Sequence, residues 1–158
     1  MRRKDKEITD QATIRKILHE SHYITLAMVK DNEPYLVSLS HVYDEEKNCI
    51  YFHAASEGKK LDYLKANNAV WGQAIKDYGY HVGECSHLYA TVMFKGTVSF
   101  VDDIEEKRHS FKIMMDHLDP ESTSMKERLL KSEGIPTTPV AKISLDYVSG
   151  KKSAEITM

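Results

Sequence analysis

Tyr51-Phe52-His53-Ala54-Ala55-Ser56-Glu57-Gly58-Lys59-Lys60 is the stretch on which the reading of the fold turns. Tyr51 and Phe52 are strand formers. Ser56 is placed to cap a helix, and Leu61 and Leu64 follow at helical spacing. The segment therefore reads as a strand running straight into a helix. Ala54, Ala55 and Gly58 carry little or no side chain, which lets another molecule come close to the backbone. A helix start leaves N–H groups unpaired at the positive end of its dipole. Lys59 and Lys60 add charge of the same sign, an unfavourable arrangement unless an anion such as phosphate offsets it. A surface helix with solvated lysines fits the same letters. The chain has no Gly-x-x-x-x-Gly-Lys-Ser/Thr run and no Gly-x-Gly-x-x-Gly run, so nothing points to a P-loop or an ordinary dinucleotide fold.

Working outward, Thr9 or Asp10 caps a first helix that runs to about Glu20, with Ile14, Ile17 and Leu18 on its apolar side. Tyr23–Lys30 is rich in strand formers. Asp31-Asn32-Glu33-Pro34 is a turn, 35–43 a second strand, 44–48 a polar turn, and Cys49–His53 the return. These strands suggest an antiparallel meander. After the stretch, the helix from Ser56 ends near Asn67-Asn68, and 69–75 is a strand with Trp71 as a large packing residue. Residues 77–85 read as irregular. The longest strand pattern covers 88–101, and Gly96 inside it signals a bulge or a close approach. Asp102 or Asp103 starts a helix with Glu105 and Glu106 at its positive end and Ile104, Phe111, Met115 and Leu118 as its apolar face. A short helix over 124–130, a loop over 132–139 and a last strand over 140–148 complete the chain. Strands dominate with helices between them. The fold class is α+β, an antiparallel sheet curled into a barrel that hides its edges.

The length of 158 residues suits a single domain over 1–158, and 41% hydrophobic with 29% charged residues describes a soluble globular chain. The net charge of −2 supplies no basic field for nucleic acid. Cys49 and Cys85 form no disulfide framework, which suits a reducing compartment. With no long apolar run, the chain is expected to be cytoplasmic, neither secreted nor bound to a membrane. The eight histidines show no metal-ligand spacing; Cys49 with His53, and Glu84-Cys85-Ser86-His87, are the nearest approaches, and no metal site is expected. If the hairpin closes with Tyr43 opposite Cys49, residues 39, 41, 51 and 53 share a face and bring His41 beside His53. A slip of one residue separates them. Ser38 and Ser40 either line a ligand or lie on the wet face of an ordinary strand. No Gly-x-Ser-x-Gly elbow surrounds them.

The run Pro34-Tyr35-Leu36-Val37-Ser38-Leu39-Ser40-His41-Val42-Tyr43, followed by Ile50-Tyr51-Phe52-His53-Ala54-Ala55-x-x-Gly58-x-Lys60, resembles the flavin-binding split-barrel proteins related to pyridoxamine 5′-phosphate oxidase. Within them it is most similar to the nitroimidazole-resistance branch. Tyr89-Ala90-Thr91-Val92-Met93-Phe94-Lys95-Gly96 and Ser149-Gly150-Lys151 match in kind. The resemblance implies a homodimer with FMN, or FAD, in clefts at the subunit interface. It implies Lys59 and Lys60 at the phosphate beside Gly58, with Ala54 and Ala55 near the ribityl chain. Ser38, Leu39, Ser40 and His41 would lie along the flavin ring and ribityl chain, and Thr91 would come from the other subunit. His53 would be the catalytic residue, orienting a small aromatic substrate or giving it a proton. The implied activity is flavin-dependent reduction of 5-nitroimidazoles or related acceptors; a non-catalytic flavin- or haem-binding protein is the alternative. Ala54 replaces the serine usual in that branch, and Ala90 stands where relatives often carry arginine.

Overall fold

In the computed structural model, which describes residues 2–157, the Cys49–His53 segment is strand β5, between β8 and the end strand β4 of the sheet. Before it come β1 (Glu7–Ile8), α1 (Gln11–Glu20), β2 (Tyr23–Lys30), β3 (Glu33–Ser40) and β4 (Val42–Asp44). After it come α2 (Lys59–Ala66), β6 (Ala69–His81), β7 (Ser86–Phe100), α3 (Ile104–Leu118), α4 (Thr123–Leu130) and β8 (Val140–Lys152). The eight strands form one sheet in the order β3-β2-β6-β7-β8-β5-β4, with β1 beside β8, and every pairing is antiparallel. The strands at the two ends of that path, β3 and β4, are joined through His41 alone. One residue spans only about 3.8 Å. The sheet must therefore roll round until its ends meet, giving a barrel split along the β3/β4 seam. This is the expected α+β split barrel.

Local chemistry explains the elements. The Asp10 carboxylate caps α1 by accepting from the amides of Ala12 and Thr13. Asp31 and Asn32, at φ 50° and 62°, make a two-residue hairpin whose twist suits the flanking strands. Pro34 lies in β3, at one end of the sheet path, where a missing N–H costs no ladder bond. At Gly96 the ladder to β8 shifts register, and a Cβ there would stand 2.5 Å from the Ser144 carbonyl oxygen. The bulge and the close approach are both present.

β5 is buried on both faces. Ile50 and Phe52 point into the barrel with Ile24, Leu26, Phe94 and Ile143. Cys49 and Tyr51 point outward into a second core, closed by Phe111 and Met114 of α3, Ile135 and Val140. The Tyr51 hydroxyl donates to Glu106 at 2.5 Å, and Lys142 reaches the same carboxylate oxygen at 3.0 Å, which ties α3 to the sheet.

Several expectations are corrected. The 35–43 strand is two strands, broken at His41. The 77–85 segment belongs mostly to a two-stranded ribbon, with β6 running to His81 and β7 starting at Ser86. β8 runs on to Lys152. Trp71 is a packing residue, but on the outside of the sheet: it is 46% exposed and packs against Tyr147. On α3 the buried positions are Lys107, Ser110, Phe111 and Met114, one step round from Met115 and Leu118. Among the described residues no helix is long and apolar enough to cross a membrane.

Candidate functional site

Beyond His53 the chain leaves the ladder. The Ala54 amide donates to the Pro139 carbonyl at 3.0 Å, and the backbone then turns through Gly58. Gly58 sits at φ 133°, ψ 163°, a conformation reached almost only by glycine. It is the N-cap of α2, so the helix starts at Lys59 and Ser56 is not the cap. The reason is geometric: Gly58 turns the backbone sharply, and its carbonyl accepts the first returning amides, Leu61 at 2.9 Å and Asp62 at 3.2 Å. No side chain caps this end. Leu61, Tyr63 and Leu64 anchor the helix by burial.

In front of this bare helix start lies an open groove of about 230 Å³. Ala54, Ala55, Gly58, Lys59 and Lys60 line it together, as the sequence suggested. Tyr35 and Val37 of β3 form the opposite wall, a contribution the sequence reading missed. The signal was available in the alternation of Val37 and Leu39 with Ser38 and Ser40: from Tyr35 on, odd positions of β3 are half-buried and even ones exposed, so Tyr35, Val37 and Leu39 share a face. Ser38 and Ser40 lie on the other, exposed face, with Ser38 Oγ 2.9 Å from Thr25 Oγ1.

The two lysines differ. The Lys59 ammonium donates to Glu33 at 3.3 Å and lies over the rings of Tyr35 and Tyr63 at 5.0 and 5.4 Å. The Lys59–Glu33 pair is exposed on both sides and worth little, so a stronger anion can displace it. The Lys60 ammonium lies over the Phe52 ring at 5.4 Å, and burial, with no opposing carboxylate, lowers its pKa. Glu57 also lines the groove, but among the described residues Lys60 has no ion-pair partner, and a half-buried cation at an uncapped helix N-terminus is electrostatically complementary to a phosphate. Gly58 leaves open space where any other residue would put a side chain. The residues present fit the phosphate-bearing end of a flavin nucleotide.

His53 ends β5 with its ring 6.0 Å from that of Phe111. Its partial burial lowers its pKa, and the Lys60 charge lowers it further, which favours the neutral imidazole. His41 is not beside it. The hairpin pairs Tyr43 with Ile50 and Asp44 with Cys49, one residue away from the expected register. Asp44 stays in the ladder because its carboxylate accepts the Lys47 amide at 3.1 Å and so builds the turn after it. His41 is fully buried, and its Nε2 donates to the Leu18 carbonyl at 3.0 Å, satisfying an otherwise open end of α1. Burial first, then neighbouring histidines, pushes its pKa down to about 4. Its side chain is structural and does not reach the groove. Thr91 is also buried, donating to the Ala74 carbonyl and accepting from Gln73, away from the groove within one chain. Ala90 is fully buried in the barrel core.

Residues 10–152 match the family model for pyridoxamine 5′-phosphate oxidase. Among curated proteins, none matches the sequence. Among solved structures, the chain is similar to a protein from Bacteroides thetaiotaomicron described as a 5-nitroimidazole antibiotic resistance protein. Identity is 26% over 92% of this chain and 86% of that one, with a TM-score of 0.78. It shares its fold with a flavocytochrome from Azotobacter vinelandii at 20% identity, 93% and 69% coverage and a TM-score of 0.76. It also shares it with an FAD- and haem-binding protein from Mycobacterium smegmatis at 17% identity, 94% and 73% coverage and a TM-score of 0.77.

Proposed function

The chain belongs to the pyridoxamine 5′-phosphate oxidase family, and from that premise we propose that it is a flavin-dependent oxidoreductase acting on 5-nitroimidazoles or related small aromatic electron acceptors. The observation that carries the proposal is the bare N-terminus of α2, with Gly58 leaving open space before it and Lys60 half-buried beside it without a counter-ion. The similarity to the Bacteroides protein supports the choice of acceptor.

A flavin, when bound, supplies the reducing equivalents. The amides at the start of α2, with Lys59 and Lys60, hold its phosphate. Tyr35 and Val37 wall the groove on the other side. His53, with its neutral imidazole favoured, presents a ring N–H or a lone pair to an acceptor and orients it. In that state it acts as a hydrogen-bonding group rather than as a resident imidazolium.

The site is completed in this reading by a second copy of the chain. Two cross-strand rows cover the outer face of the sheet: Leu36-Ala27-Trp71-Lys95-Tyr147, and beside it Ser38-Thr25-Gln73-Met93-Ser149. Leu36 is 65% exposed and Tyr147 52%, and Trp71 packs against Tyr147 with ring centroids 5.9 Å apart. The exposed apolar side chains of Leu36, Trp71, Met93 and Tyr147, set among polar ones, favour an interface. Ser38 lies within the second row, and Ser40 shares its face, which puts both serines at the subunit boundary.

The deciding experiment is a visible spectrum of the purified protein, an FMN titration, and reoxidation of the reduced protein by a 5-nitroimidazole compared with free FMN. Tight FMN binding that is lost in a Lys59→Ala, Lys60→Ala double variant, and nitro-dependent reoxidation slowed in His53→Ala with flavin still bound, are expected. No flavin binding refutes the site. Binding with reoxidation no faster than free FMN leaves a flavin carrier and refutes the activity.

A further inference from the structure

Three histidines from distant parts of the sequence meet at the ends of two helices. His19 is in the last turn of α1, His22 just after it, and His117 in the last turn of α3. The His117 ring centroid lies 5.0 Å from that of His19 and 6.2 Å from that of His22. His41 is close enough to all three for their charges to act on it.

The tautomer of His117 follows from its partners. The Ser21 backbone acts on the His117 ring as an acceptor, and Nε2 is buried with no partner among the described residues. With Ser21 served by the other ring nitrogen, Nε2 is the one that offers a lone pair. His41 leaves a second orphan, because Nε2 is used on Leu18 and Nδ1 is buried without a partner. The unsatisfied nitrogen of His117 asks for an explanation.

A divalent transition metal supplies one. Imidazole lone pairs are its commonest protein ligand, and an Nδ1–H held by a backbone carbonyl is the arrangement that aims Nε2 at a metal. With Zn–N bonds of roughly 2.0–2.1 Å and tetrahedral angles, two ligand rings have centroids about 5 Å apart. The His19–His117 spacing already has that value. The His22 spacing is wider, and among the described residues no three such donors yet surround one point. His19 and His22 are both exposed, so their rings are free to turn inward. Both helices also end here, and their C-terminal dipoles favour a cation.

We propose that His19, His22 and His117 bind one divalent transition-metal ion, with solvent as the fourth ligand, and so clamp the end of α1 to the end of α3. The site is separate from the flavin groove and does not rest on that assignment. Sequence spacing could not reveal it, because His117 is brought to His19 and His22 only by the fold.

The test uses the full chain without a histidine tag, stripped with a chelator and titrated with Zn²⁺ by calorimetry and with Co²⁺ by visible absorption. One equivalent of Zn²⁺ per chain, a Co²⁺ spectrum of tetrahedral type and a metal-dependent rise in melting temperature are expected. Binding should weaken at least tenfold in a His19→Ala, His22→Ala double variant, whose substitutions are exposed and leave the fold intact. It should weaken likewise in His117→Gln, and stay unchanged in a Cys85→Ser, His87→Ala control. No binding by the unaltered protein overturns the proposal and leaves the orphan nitrogens to water. Binding that survives both histidine variants marks an adventitious ion only and overturns it equally.

Discussion

Gly58→Ala isolates the backbone geometry on which the groove depends. At φ 133° and ψ 163° an alanine pays a conformational penalty of about 1–3 kcal/mol. A Cβ built there meets nothing within 4 Å, so no steric clash adds to that figure. Alanine also restricts the unfolded chain, which returns about 0.4–1 kcal/mol. Near the middle of both ranges the net cost is about 1–2 kcal/mol. It can be expressed in two ways. If the turn keeps its shape, the whole cost appears as lost global stability. If the turn relaxes instead, α2 starts differently, and the lysines and amides at its head lose their alignment. The same energy then appears as FMN affinity weakened roughly 5- to 30-fold, at 1.4 kcal/mol per factor of ten. Urea unfolding and FMN titration on one preparation measure both parts, and their sum is the quantity to compare. If Gly58→Ala matches the unaltered protein in both assays, the turn is not strained for an L-residue and the account of the helix start is wrong.

Three other outcomes follow from the same structure. His41 is held neutral in the fold, with a pKa pushed down to about 4 from 6.5. The unfolded chain therefore binds the extra proton first, and the stability this burial confers, complete above pH 6.5, drains away as pH falls toward 4. His41→Phe should flatten that part of the stability–pH curve in chemical denaturation, while costing about 1–3 kcal/mol at pH 7 for the orphaned Leu18 carbonyl. Tyr51→Phe removes a hydrogen bond to the Glu106 carboxylate and should cost about 1.5–3 kcal/mol. Glu106 is held at about 2, below its ordinary 4.5, chiefly by Tyr51 and then, against burial, by Lys142, so the variant's acid limb between those values should be shallower. Leu36→Glu with Trp71→Glu should shift the chain to monomer in sedimentation while it stays folded; a dimer of unchanged stability would place the interface elsewhere.

Most of the fold was legible because local chemistry and final structure agree. The Asp10 cap, the Asp31-Asn32 turn, the bounds of β2 and β5 and the Gly96 bulge are each dictated by a few neighbouring residues. The failures have a common cause in tertiary context. The 35–43 run is a good strand throughout, and nothing local marks His41 as the place where the chain changes partners. The demand comes from closing the barrel, and it is met by a buried histidine that the end of α1 needs. Trp71 packs as its size suggests, but strand alternation sets its face, and that face is the outside of the sheet, against Tyr147. Residues 77–81 contain glycine and tyrosine in no clean alternation, and they hold a strand conformation because β7 pairs with them.

The site shows the same division at finer scale. Its helix-start half was readable, since Gly58, Lys59 and Lys60 act through backbone conformation and charge, properties that belong to adjacent residues. Its β3 half depended on register. With Tyr43 opposite Cys49 the two histidines would have shared a face; with Asp44 in that place they part, and the difference rests on whether one aspartate side chain closes the turn. That single residue decides which histidine is buried and which stands at the rim of the groove. His41 becomes a buried structural donor, His53 keeps its position at the rim beside Lys60, and the groove wall passes to Tyr35 and Val37. The consequence is directional. Variants at His53 should alter reactivity toward acceptors without unfolding the chain, whereas variants at His41 should destabilise the fold before they touch the chemistry. The two histidines, alike in the sequence, are separated by the physics of one strand register.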